Sequence, residues 1–252
     1  MTPLFEFAGL ACTRSTAGKV LDVAVARLGA GEFVALCGLN GAGKSTLLEI
    51  MAGILPGYSG SCRFEGREVS QWSARALAQR ISFLPQTATG VARFTGAEVV
   101  RMGRYPFARG WDVTEADLAI CRAAMQKAGC EELASRYVNE LSGGERQRVL
   151  FAAVLAQEPR ALLLDEPGTF VDLPHQIQMF RALRGQCAEG TLCVAATHDL
   201  NLAAAFCSRL ILLDHGRIAA DAAPAEVLAG AEFRRVFGEH VRVEQGRVHY
   251  EV

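Results

Sequence analysis

The stretch "GLNGAGKST", residues 38–46, decides the fold. It fits G-x-x-x-x-G-K-[ST] with Gly38, Gly43, Lys44 and Ser45, follows the apolar run "FVALC" (33–37) and precedes the helix-prone "STLLEIMAGI". A glycine-rich turn between a buried strand and a helix lets several backbone N–H groups converge on phosphate oxygens at the positive end of the helix. Gly38, Leu39, Asn40, Gly41, Ala42, Gly43, Lys44, Ser45 and Thr46 are therefore the expected cradle for a nucleoside triphosphate. In that cradle Lys44 supplies a mobile charge for the outer phosphates, and the Ser45 hydroxyl is placed to ligate Mg²⁺.

Working outward, "RISFLP" (80–85), "ALLLD" (161–165), "TLCVAAT" (191–197) and "RLILLD" (209–214) are short apolar runs bounded by turn residues, the pattern of buried strands. Helical stretches between them imply a mostly parallel sheet and an α/β class. "LFEFAG", "VLDVAVARL" and "GSCRFEGREV" are partly alternating and broken by glycine, which suits a small antiparallel sheet beside the main one. From about Thr87 to Glu158 the strand signals fade. There "TEADLAICRAAMQKAGC" opens on a T-x-x-D cap at Thr114 and places Leu118, Cys121, Met125 and Ala128 on one helical face. The expected organisation is one domain over 1–252, with an α/β core from 1–86 and 159–252 and an inserted helical subdomain over 87–158.

A second piece of chemistry lies in "ALLLDEP". A strand ending in two adjacent carboxylates delivers both at the edge where open α/β sheets bind ligands. Asp165 suits the Mg²⁺ shell, Glu166 is placed to act on the attacking water as general base, and Pro167 ends the strand.

Composition narrows the setting. With 26 Lys+Arg against 27 Asp+Glu, the net charge of -1 gives no global field for nucleic acid or an anionic membrane, so a bound polyanion must be held locally. "MTPLFEFAGL" has neither the basic start nor the apolar stretch of a signal peptide, and runs such as "VLFAAVLA" are too short to span a membrane. Eight cysteines are scattered without a C-x-x-C pair and read as reduced core thiols of a cytosolic protein.

"LSGGERQRV", residues 141–149, completes a set of motifs that resembles the ATP-binding subunits of ABC transporters. By itself Ser142-Gly-Gly-Glu145 is an S-x-x-E capping box whose glycines leave N–H groups open at a helix start. The resemblance covers essentially the whole chain and implies an α/β P-loop NTPase (RecA-like) core that binds ATP and Mg²⁺. Residues 38–46 correspond to the family's Walker A loop, and Ser142, Gly143, Gly144 and Glu145 to its signature. Asp165 and Glu166 correspond to Walker B, Gln86 in "FLPQ" to the Q-loop glutamine, Asp172 to the D-loop aspartate and His198 in "ATHDL" to the switch histidine.

The resemblance further implies that two copies stack head to tail, so that each ATP lies between the Walker A loop of one and the signature of the other. It implies contact of Gln86 with Mg²⁺ and the attacking water, a γ-phosphate hydrogen bond from His198 and a role for Asp172 across the dimer interface. Outside the resemblance, Gln86 is a turn residue, His198 a core or surface histidine and Asp172 a cap. The chain departs from the pattern at Leu39, where many relatives have proline, at "GTFVD" in place of the commoner "SALD", and in "LACTRSTAGKVL", where Arg14 stands near the usual adenine-stacking aromatic. The choice between ATP and GTP is left open by that last departure.

Within the family, "EVVRMGRYPF", "LAQEPRALLLDEP", "DLPHQ" and "HDLNLAA" resemble the ATPases of importers for iron-siderophore, haem and vitamin B12 chelates. This resemblance implies an ATPase homodimer, a separate permease dimer, a periplasmic or surface binding protein, and a peripheral place on the cytoplasmic face of the cell membrane. The surface from Arg93 to Arg109, with Phe94, Tyr105 and Phe107, is the expected groove for the permease. A soluble ABC ATPase serving assembly or repair, such as iron-sulfur cluster assembly, is the alternative, and a weakly hydrolysing regulatory binder a third.

Overall fold

The computed structural model describes residues 3–14, 18–86, 93–108, 114–238, 241–244 and 247–250. Thr87, where the helical subdomain is expected to begin, Arg109 and the side chain of Arg14 lie outside the described residues. In chain order the first elements are β1 (Phe5–Arg14), β2 (Gly18–Leu28), β3 (Phe33–Cys37), α1 (Lys44–Met51), β4 (Ser59–Phe64), β5 (Arg67–Glu68), α2 (Ala74–Ala78) and β6 (Ile81–Leu84). Then come α3 (Gly96–Met102), α4 (Glu115–Ala128), α5 (Gly143–Ala156), β7 (Ala161–Asp165), α6 (Leu173–Ala188), β8 (Leu192–Ala196) and α7 (Leu200–Phe206). The chain continues through β9 (Arg209–Asp214), β10 (Arg217–Ala222), α8 (Pro224–Ala229), α9 (Ala231–Phe237), β11 (Val241–Glu244) and β12 (Arg247–Tyr250).

The main sheet has the order β10-β9-β3-β8-β7-β6, parallel except for the edge strand β10. β3, β7 and β8 are buried along their whole length, which is why they read as unbroken apolar runs rather than alternating ones. Successive residues feed opposite cores. Ala35, Leu162, Leu164, Cys193, Ala195, Leu210 and Leu212 pack with α4, α5 and α6. Val34, Leu36, Leu163, Val194, Ile211 and Leu213 pack with α1 and the small sheet.

That small sheet has the order β2-β1-β4-β5 and is antiparallel. Phe5, Phe7 and Phe64 turn inward from it, with the Phe5 and Phe64 ring centroids 4.9 Å apart. All eight cysteines are free and buried. Two elements had no strand signal in the sequence: β10, whose "RIAADA" carries no apolar run, and the β11–β12 hairpin at the C-terminal end. Among the described residues no helix is long and apolar enough to cross a membrane.

α3, α4 and α5 each begin with a reciprocal capping box, on Thr95/Glu98, Thr114/Asp117 and Ser142/Glu145. On α4 the face read from the sequence is the packed one: Cys121, Met125 and Ala128 are buried, joined by Ala124, while Leu118 is half-buried. Arg104 ties the α4 cap to its neighbours, donating from Nε to Asp117 Oδ1 at 2.8 Å and from Nη1 to the Ala156 carbonyl at 2.9 Å.

The Thr114 hydroxyl, and after it Arg104, hold the Asp117 carboxyl below its ordinary value. A depressed carboxyl contributes stability that is complete above the ordinary carboxylate range and is lost as pH falls through the folded-state value. Thr114→Ala is expected to cost about 1 kcal/mol, or roughly 2–4 °C in Tm for a chain of this size. Thermal melts should show the gap between variant and parent narrowing as pH drops below about 4; a gap independent of pH would disconnect the cap from the Asp117 charge.

Candidate functional site

β3 ends at Cys37 and the chain turns at once at Gly38, whose φ of 147° and close approach admit no side chain: a Cβ there would lie 2.2 Å from the Leu213 carbonyl oxygen. The loop is closed by the Ala42 N–H on Leu39 O at 3.1 Å and pinned from outside by the Gly216 N–H on Ala42 O at 3.0 Å. α1 starts with no side-chain cap and no acidic residue in its first turn, so its N-terminal donors and positive dipole end are left for an external anion. Leu39, Asn40 and Gly41 form the exposed rim, while Ala42, Gly43, Lys44 and Thr46 are buried and Ser45 half-buried.

The Lys44 ammonium folds back into this loop, donating to Gly38 O at 2.8 Å and Leu39 O at 3.1 Å. Burial pulls its pKa down, and the nearby Glu166 and Asp165 carboxylates oppose that shift. Asp165, the last residue of β7, is 5% exposed. Burial raises its pKa and Glu166 adds to the rise, while a hydrogen bond from the Ser45 hydroxyl and the charges of Lys44 and His198 work against it. A buried carboxylate bonded to a hydroxyl at the foot of a phosphate loop is an oxygen-only donor pair, the chemistry that Mg²⁺ takes from a protein while keeping its other positions for water and phosphate.

Glu166 leaves the strand with φ 50°, in the left-handed region, and its N–H bonds Ala196 O at 3.0 Å. Both carboxylate oxygens are engaged. Gln86 Nε2 donates to Oε2 at 2.9 Å and His198 Nε2 lies 2.6 Å from Oε1, while the Thr169 hydroxyl reaches Oε2 at 3.4 Å. Gln86 and His198, expected from separate motifs, therefore meet on the carboxylate of Glu166. The amide nitrogen of Gln86 is bonded to Glu166 itself.

The signature residues form a second group. Ser142 caps α5: the Glu145 N–H donates to Ser142 Oγ at 3.3 Å, the Ser142 N–H to Glu145 Oε2 at 2.8 Å, and Arg136 Nη1 donates to Glu145 Oε1 at 2.7 Å. The Ser142 N–H is the main cause of the lowered Glu145 pKa. Gly144 is required by close approach, since a Cβ there would sit 2.6 Å from Phe170 O. Ser142, Gly143, Phe170, Asp172 and His175 line an open cleft of about 400 Å³. Asp172 fills the role of a cap, accepting the His175 N–H at 3.1 Å as N-cap of α6, and the bond from the His175 side chain lowers its pKa.

Residues 166–172 join the two groups and are cross-bonded internally. Gln176 Nε2 donates to Gly168 O at 3.0 Å and Val171 O at 2.7 Å, and the Val171 N–H to Gly168 O at 3.1 Å. Sequence reading missed Gln176, Gly216 and Phe170. Only Phe170 carried a signal, an aromatic inside a Gly-Thr…Asp turn.

Residues 21–169 match the family model described as ABC transporter. The chain is 46% identical over 224 residues to the hemin import ATP-binding protein HmuV of Streptomyces coelicolor, covering 89% of this chain and 80% of that one. It is 40% identical over 226 residues to the cobalamin import ATP-binding protein BtuD of Halobacterium salinarum, covering 89% of this chain and 56% of that one. A dimeric ATP-binding cassette, solved in a post-hydrolysis state with ADP and Pi, superposes with a TM-score of 0.78 at 25% identity over 88% of this chain and 99% of its own. With a phosphate loop, a carboxylate pair and a signature cleft on one framework, the chain belongs to the ABC transporter family and is an ATPase of that family.

Proposed function

We propose that this chain is the ATP-hydrolysing subunit of an importer for a metal chelate of the haem or corrinoid kind, working as a head-to-tail dimer on a separate permease. The convergence of Gln86 and His198 on Glu166, beside Lys44 and Asp165, carries the hydrolytic part. It supports a base at the sheet edge, next to the phosphate loop. The relatives named for hemin and cobalamin import support the cargo class, and they do not favour the reading as an assembly or repair ATPase.

In this reading the loop 38–46 holds the phosphates through its N–H groups, and Lys44 exchanges the carbonyls of Gly38 and Leu39 for phosphate oxygens. Ser45, Asp165 and the amide oxygen of Gln86 would hold Mg²⁺, which when bound supplies positive charge at the β and γ phosphates. Glu166 takes the proton of the attacking water, and His198 orients Glu166 and meets the γ-phosphate. Ser142, Gly143, Gly144 and Glu145 offer the open end of α5 to the nucleotide held by the other copy, with Asp172 alongside.

Residues 87–158 act as a helical unit against a core made of 1–86 and 159–252, at the inner face of the membrane. The permease docks beside Phe94 and Tyr105, both exposed. Arg104 lies over the Phe107 ring at 4.4 Å, and Gln79 Nε2 holds Pro106 O at 2.8 Å, which stiffens this surface. A binding protein delivers the chelate on the far side. ATP drives closure because it touches two shells in the closed dimer and one in the open form.

Glu166→Gln is expected to keep ATP binding, to lose about a hundredfold or more in turnover and to accumulate an ATP-bound dimer; turnover close to the parent's would remove Glu166 as base. Mixed dimers test the shared site. Lys44→Ala on one chain with Ser142→Arg on the other leaves one composite site whole, whereas both changes on one chain damage both, so equal ATPase rates in the two arrangements would sink the head-to-tail reading. Reconstitution with the cognate permease and binding protein should show ATPase stimulation by a loaded haem, corrinoid or iron chelate, and silence with all of these would remove the cargo class.

A further inference from the structure

A buried cysteine taken singly is ordinary core packing, but two of the eight meet where α6 ends and β8 begins. Cys187 lies in the last turn of α6 and Cys193 is the second residue of β8, with a short turn through the exposed Gly190, φ 97°, between them. The two residues share carbonyls reciprocally. The Cys187 thiol and the Cys193 N–H both donate to Glu32 O, at 3.3 Å and 2.9 Å. The Cys193 thiol in turn donates to Leu183 O at 3.6 Å, the carbonyl one helical turn before Cys187. The sulfurs therefore lie side by side, and the two thiols also hydrogen-bond each other.

The pair is asymmetric. Cys187 is 8% exposed and is followed by the exposed Ala188, Glu189 and Gly190, whereas Cys193 is sealed in the core. The hydrogen bond from the Cys193 thiol lowers the Cys187 pKa against the effect of burial, and the Cys193 N–H adds to the lowering. The same bond, with burial, pushes Cys193 well above the ordinary thiol value. Elsewhere burial drives thiols upward: Cys37, Cys62 and Cys130 to about 12, and Cys121 and Cys207 in the same direction. The thiolate is the form that attacks an oxidant, so Cys187 is the reactive sulfur. A second thiol beside it is what turns such a cysteine into a reversible redox group.

From this contact, and independently of the transport reading, we propose that Cys187 and Cys193 are an oxidative modification site, a dithiol that a hydroperoxide closes into an intrachain disulfide. The Cys187 thiolate attacks the terminal peroxide oxygen: the S–O bond forms, the O–O bond breaks, and water or an alcohol leaves with the proton the thiol gave up. Cys193 then attacks the sulfenic sulfur. The S–S bond forms, the S–O bond breaks, and the hydroxyl departs as water with the Cys193 proton. Two thiols lose two electrons and the peroxide takes them up. The bond joins the last turn of α6 to the start of β8, whereas α6 opens at the Asp172 cap and β8 runs out toward Thr197 and His198. Oxidation therefore consumes no residue of the hydrolytic centre.

The test exposes the full native chain to hydrogen peroxide, quenches in acid, blocks the remaining thiols with N-ethylmaleimide under denaturation, and weighs the tryptic peptide 185–209, which carries Cys187, Cys193 and Cys207. The peptide should lose the mass of two hydrogens and take up a single maleimide, and cleavage after Glu189 should give fragments that part only on reduction. Cys187 should be consumed about tenfold faster than any cysteine outside the pair. Cys207→Ser should form the same bond, Cys187→Ser should abolish it, and Cys193→Ala should stop at a Cys187 sulfenic acid that dimedone traps. The parent and Cys207→Ser chains decide the pairing even where Cys193→Ala fails to fold. A bond that requires Cys207 overturns the site. So does a Cys187 that stays free while other cysteines oxidise, or one carried on to sulfinic acid with Cys193 still alkylated.

Discussion

The parallel register of the main sheet sets where chemistry can happen. Leu84 pairs with Leu164, Asp165 with Ala196, and Ala196 in turn with Leu36. β6, β7, β8 and β3 therefore stop within a residue or so of one another, and the next residues out of each strand are forced into one volume. Gln86, Glu166, His198 and the phosphate loop are those residues. A slip of one position in any pairing would turn its buried face over, so the cores on both sides of the sheet guard the position of Glu166 as firmly as its own hydrogen bonds do.

The electrostatics follow from that geometry. Lys44 and Asp165 are 6% and 5% exposed, and a buried charge without compensation is costly. Each is tolerable because the other is near, with loop carbonyls on the ammonium and the Ser45 hydroxyl on the carboxylate. Removing either leaves its partner with less compensation, Lys44 keeping Glu166 and the loop carbonyls and Asp165 keeping the Ser45 hydroxyl. Backbone strain gathers in the same region, at φ 50° for Glu166 and 66° for Phe170, and the cross-bonds of the strap between them hold it in place.

Most of the framework could be read before any coordinates. "FVALC", "ALLLD" and "TLCVAAT" became β3, β7 and β8 because strands buried on both faces have no alternative to continuous apolar sequence. The Thr114 and Ser142 caps were legible because the capping box is local. β10 was not, since an edge strand pairs on one side and needs no apolar run. The meeting of Gln86 and His198 on Glu166 depends on register between strands far apart in sequence, and no local pattern encodes it. Gly216 and Gln176 act through backbone atoms of other segments, which leave no mark in the letters. The Asp172 reading split: its role as a cap is visible within one chain, whereas a role between chains belongs to the dimer.

The strap from Glu166 to Asp172 has a further consequence for how this protein can change over time. Gln176 grips it through the carbonyls of Gly168 and Val171, atoms that every amino acid possesses, while Glu166 and Asp172 anchor its ends by side chain. Its length is thus locked, and of the residues between, Thr169 is tied to Glu166 by its hydroxyl and Val171 is buried, which leaves the exposed Phe170 as the position freest to vary. Insertions and deletions are barred there and substitutions admitted, so an unusual "GTFVD" can arise without disturbing the base at one end or the helix at the other. Novelty in this stretch is channelled toward whatever surface Phe170 meets.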